Sequence, residues 1–145
     1  MDLINRIIHA LTETHPLHPM LVHFPIALTG AGALFILLAA WRRSSALEQA
    51  AFANITLAFF GSIAAAFTGM GDNIKNYDGA APNSGLKMLL ATILLIITGF
   101  TALLRWRNPK LFESRVKGLY MTAYFASFAL AIVLAFLGGV ILYGF

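Results

Sequence analysis

Three imidazoles stand at the mouth of an apolar segment in the run His15-Pro16-Leu17-His18-Pro19-Met20-Leu21-Val22-His23-Phe24-Pro25. Ionisable groups at a membrane boundary are costly to bury, so a site is expected there. His23 lies inside the apolar run, and its imidazole suits three tasks: an axial ligand to haem b, a metal ligand or a proton relay. The structural alternative is a neutral ring bonded to a backbone carbonyl, because Pro25 has no N–H to offer the Leu21 carbonyl. His18 is a secondary cofactor-binding candidate. It precedes Pro19, which favours an extended backbone at His18 and a helix beginning at Pro19, so it also reads as a helix-opening residue with no further duty.

The spacing limits what these rings can do. Separations of three residues (His15 to His18) and five (His18 to His23) match no zinc or copper pattern, and no metal site is expected. Five residues on a helix place His18 and His23 roughly 140° apart. A self-contained bis-histidine haem is equally hard to build, since all four histidines lie between positions 9 and 23. The opposite ligand would be Met70, Met88, Lys87 or a residue from a partner.

Asp72 and Lys87 bracket one loop. A lysine near a helix N-terminus is disfavoured by the dipole, so Lys87 is expected either to pair with Asp72 or to snorkel to the interface. No Ser-His-Asp order, phosphate loop or paired-carboxylate pattern appears, so no enzyme is expected.

The elements that must position these residues follow from composition. The 145 residues are 59% hydrophobic and 11% charged, whereas a soluble domain carries roughly 25% charged residues. The mean hydropathy of +0.80 agrees. A single integral membrane domain is expected. Four segments reach the roughly 20 apolar residues that a span needs: about 20–41, 49–70, 85–106 and 118–143, with residues 71–84 as a loop. Lipid demands that backbone groups be satisfied within each segment, and there is no barrel-like alternation. The fold class is therefore all-α, a four-helix transmembrane bundle. Leu3, Ile4, Ile7, Ile8 and Leu11 recur at helical spacing opposite polar residues, which predicts a short amphipathic surface helix over residues 2–14. No cleaved signal peptide is expected.

Charge orients the bundle. Arg42, Arg43, Arg105, Arg107, Lys110, Arg115 and Lys117 gather on one side, against Arg6, Lys75 and Lys87 on the other. The positive-inside rule makes the first side cytoplasmic, with both termini and the histidines periplasmic, and Trp41 and Trp106 as inner-face anchors. The basic residues flank apolar segments rather than forming a patch, so nucleic acid is not a partner. Gly61, Ala65 and Gly69 share one helix face and allow close helix approach; Gly30, Gly32, Gly138 and Gly139 play similar parts. With no cysteine, there is neither a disulfide nor a thiolate site.

The segment His18-Pro19-Met20-Leu21-Val22-His23-Phe24-Pro25-Ile26-Ala27-Leu28 resembles the opening signature of a bacterial family, domain of unknown function 2231. Thr68-Gly69-Met70-Gly71-Asp72 and Leu137-Gly138-Gly139-Val140-Ile141-Leu142-Tyr143-Gly144 resemble its later segments in the right order. The resemblance implies a four-helix inner-membrane protein, linked to membrane electron transfer through relatives that occur beside Rieske and cytochrome domains. It also implies a histidine near the start of the third helix, where this chain has Lys87, so a cofactor site there would be lost or changed.

These features lead to one expectation: a non-catalytic membrane subunit of a periplasm-facing respiratory or photosynthetic complex. It would scaffold neighbouring subunits and help hold a cofactor near His23. A b-type cytochrome taking electrons from quinol is the alternative, and a small metal-handling or transport protein the third.

Overall fold

The computed structural model describes residues 2–5 and 17–143, with side chains through 140. Residues 2–5 are exposed. The rest of the expected surface helix, with His9 and His15, lies outside the described residues.

Four long helices carry the chain: α1 (Leu17–Arg42), α2 (Ser45–Tyr77), α3 (Ser84–Arg107) and α4 (Lys117–Tyr143), with a 3₁₀ turn at Leu111–Glu113 before α4. All four are long and apolar enough to cross a bilayer, and no strand occurs among the described residues. Each helix packs on its neighbour in the chain, and α4 closes the ring against α1. The α1–α2 pair, joined only by residues 43–44, makes the broadest contact.

Helix α2 begins at Ser45 rather than 49, and two further boundaries differ from expectation. Helix α1 begins at Leu17, so His18 is helical. Pro19 falls in the first turn, where its missing N–H has no partner to lose, and contacts between His18 and α2 outweigh the bias that a following proline imposes. Helix α2 runs to Tyr77 through much of the segment expected as loop. Its 33 residues span roughly 50 Å against about 30 Å of hydrocarbon, so its last turns project beyond the apolar layer. That end is stopped locally. Asp78 adopts a left-handed φ of 49° and Gly79 a φ of 80°, and the Gly79 N–H donates to the Asn73 carbonyl at 2.9 Å, a Schellman-type closure.

Small side chains set how closely the helices approach. A methyl on Gly61 would sit 3.4 Å from Cδ of Pro25, and one on Gly30 would sit 2.9 Å from Cε2 of Phe128. The α2 stripe Glu48, Ala51, Ile55, Ala58, Ser62 and Ala65 is buried at alternating spacings of three and four, the seam of a left-handed bundle. Gly138, expected as a packing residue, instead faces open space, with nothing within 4 Å of an added methyl. Buried hydroxyls bond their own helices: Thr29 donates to the Pro25 carbonyl at 2.7 Å, Ser62 to Ala58 and Thr98 to Leu94, each at 2.8 Å. This satisfies them where no water is present.

The core is densest toward the Arg-rich end. Ala33, Ile36, Ala51, Ile55, Tyr120 and Tyr124 cluster there with Leu111. Trp41 and Trp106 are 76% and 73% exposed at that same end, the position of interfacial anchors.

Candidate functional site

Polar groups from several helices converge at both ends of the bundle. At the histidine end, α1 contributes His18. Its half-buried ring lies flat on Gly69 of α2, where a methyl would come within 2.7 Å of Cε1. Only glycine leaves that space. Nδ1 of His18 lies 3.3 Å from Oγ1 of Thr68. The Thr68 hydroxyl donates its proton to the Ala64 carbonyl at 3.0 Å, so it accepts from His18, and the imidazole carries its proton on Nδ1. Asp72, one turn beyond Thr68 on α2, and Lys87, in the first turn of α3, both act electrostatically on this ring. A carboxylate of α2 and an ammonium of α3 are therefore within electrostatic reach of the α1 imidazole.

Of the two expectations for Lys87, the ion pair with Asp72 is not formed; Arg105 pairs with Glu48 instead. Asp72 and Lys87 rise from different helices, α2 and α3. Lys87 is half-buried at the start of α3.

His23 stands apart from this cluster. Its ring is exposed, and Nδ1 lies 2.5 Å from the Pro19 carbonyl one turn back. The expected structural bond to a carbonyl is present, but to Pro19 rather than to Leu21. His18 and His23 are not brought together, as their spacing foretold.

The opposite end holds a cluster that sequence reasoning missed. Glu48 of α2 is 3% exposed. Both its oxygens accept from Arg105 of α3, Nε at 2.6 Å and the second guanidinium nitrogen at 2.7 Å. Tyr120 of α4 donates to the same carboxylate at 2.9 Å, and the Tyr120 and Tyr124 hydroxyls are 2.8 Å apart. The Arg105 guanidinium also lies over the Phe52 ring, 5.4 Å from its centroid. Three helices are thus clamped by one fully bonded carboxylate. A signal for it exists in the chain: Glu48 lies in register with the buried stripe of α2. Charge orients Arg105 toward the interface, but no spacing links it to Glu48, 57 residues earlier.

A closed ring of four lipid-length helices, apolar outside and cross-linked by polar groups at its ends, defines a multi-pass integral membrane bundle. A family model described as "Predicted membrane protein (DUF2231)" matches residues 14–145, and the chain belongs to that family. No curated protein and no solved structure matches the chain.

Proposed function

We propose that the chain is a non-catalytic subunit of a larger electron-transfer complex, respiratory or photosynthetic, in the bacterial inner membrane. It scaffolds neighbouring subunits and presents its histidine end to the periplasm, with the seven cations of the opposite end held in the cytosol. The observation that carries this reading is His23. A carbonyl can only accept, so the bond to Pro19 holds the ring proton on Nδ1 and leaves the lone pair on Nε2. Donation of one ring N–H to a carbonyl is how ligating histidines are commonly oriented. The ring is exposed on the outside of the bundle, where a group held by a neighbouring subunit can reach it.

This geometry fits one axial ligand of a haem b and not two. His18, the other histidine of the described residues, is engaged with Thr68, and a neighbouring subunit would supply the remaining ligation. The link to electron transfer itself comes from the company that relatives keep.

Extraction from native membranes in mild detergent, followed by visible spectroscopy, tests the proposal. A chromophore should accompany the wild-type chain and be lost with His23→Ala while circular dichroism keeps its helical signature. A chromophore indifferent to His23→Ala, or complexes with no redox group, would overturn it. A Soret band on the chain purified alone would make it a b-type cytochrome instead.

A further inference from the structure

Between α3 and α4 runs an apolar groove open to the membrane. Phe100 and Leu104 of α3 form one wall, Leu119 and Ala123 of α4 the other. It is hollow because alanine and threonine on α4 face α3 where larger side chains would fill the space. At the Arg-rich end the groove is closed by Leu111 and Val116, which also line it. Each is bonded directly to a cation: Lys110 precedes Leu111, and Arg115 and Lys117 flank Val116. A peptide unit is about 3.8 Å from Cα to Cα, so the backbone of three cations lies within one residue of the mouth. The Nζ of Lys117 lies 4.2 Å from the centroid of the neighbouring Phe112 ring. Glu113 is the one acid of this connection, and it forms no ion pair with these cations. Trp106 marks the same depth as an exposed interfacial anchor.

We infer that this groove is a binding site for one anionic phospholipid of the Arg-rich leaflet. An acyl chain lies along Leu104, Leu119 and Ala123, and the phosphate faces Lys110, Arg115 and Lys117. Charge complementarity selects the occupant. Any lipid fills an apolar trough, but only an anionic headgroup gains from three cations at its end. A second copy of the chain would have to bring its own cations against these.

Native mass spectrometry of the full chain in detergent tests this, with phosphatidylglycerol and phosphatidylethanolamine of matched acyl chains as probes. Each surface cation near an anionic headgroup contributes about fivefold in affinity. One phosphatidylglycerol per chain should therefore be retained roughly a hundredfold better than phosphatidylethanolamine. Lys110→Gln with Arg115→Gln, both exposed positions, should lower that retention about 25-fold. Ala123→Trp should expel the lipid with the charges intact. Equal retention of the two lipids, or retention unchanged by either variant, would overturn the site. So would a dimer that Ala123→Trp dissolves, since a second copy would then own the groove.

Discussion

Arg105 grips Glu48 through two parallel hydrogen bonds of 2.6 and 2.7 Å, and this joins α2 to α3 at the end where the core is densest. With Tyr120 donating to the same carboxylate, no buried polar atom of the clamp lacks a partner. A forked guanidinium–carboxylate pair fixes geometry as well as charge. The clamp therefore ties the helix ends beside the basic rim, while at the histidine end His18 of α1 makes a longer contact of 3.3 Å to Thr68 of α2.

Removing one partner of a buried pair strands the other charge, which costs about 3–5 kcal/mol. Glu48→Ala and Arg105→Met should each lower the unfolding free energy in detergent by that order. The double variant Glu48→Leu with Arg105→Met should cost well under the sum. Additive losses would show that the two residues act separately.

Glycines 69 and 138 should behave oppositely. Gly69→Val drives a branched side chain into the His18 ring and should cost about 1–3 kcal/mol by overpacking. Gly138→Ala meets nothing and should be neutral or stabilising by up to about 1 kcal/mol through helix propensity. Thermal unfolding of the two variants in the same detergent distinguishes them.

Both His18 and His23 should be Nδ1–H tautomers when neutral, because each donates to an oxygen that accepts. Nitrogen-15 chemical shifts of labelled histidine read this directly. Thr68→Val should shift only the His18 signal and cost about 0.5–1.5 kcal/mol for the lost bond.

With no native cysteine, single thiols report topology cleanly. Arg115→Cys should react with membrane-impermeant maleimide only after the inner membrane is opened, and Ala80→Cys in intact spheroplasts. Reversed reactivity would place the histidine end in the cytosol and remove the basis for a periplasmic role.

Hydropathy and length alone determined that four helices cross the membrane, because lipid accepts few other arrangements of a single chain. They also located the polar ends, where punctuation such as Trp41-Arg42-Arg43 and Arg105-Trp106-Arg107 stops each span. The small-residue stripe of α2 was legible for the same reason: periodicity marks a buried face. Periodicity does not say what lies against that face. Only the closed ring of helices set Tyr120 against Glu48, 72 residues apart, and His18 on Gly69. It likewise left Lys87 half-buried without an ion pair to Asp72, and left Gly138 without a neighbour. The extension of α2 to Tyr77 was hidden because beyond the apolar layer polar residues read alike in helix and loop. There the decision passed to a left-handed Asp78–Gly79 stop and its bond to Asn73.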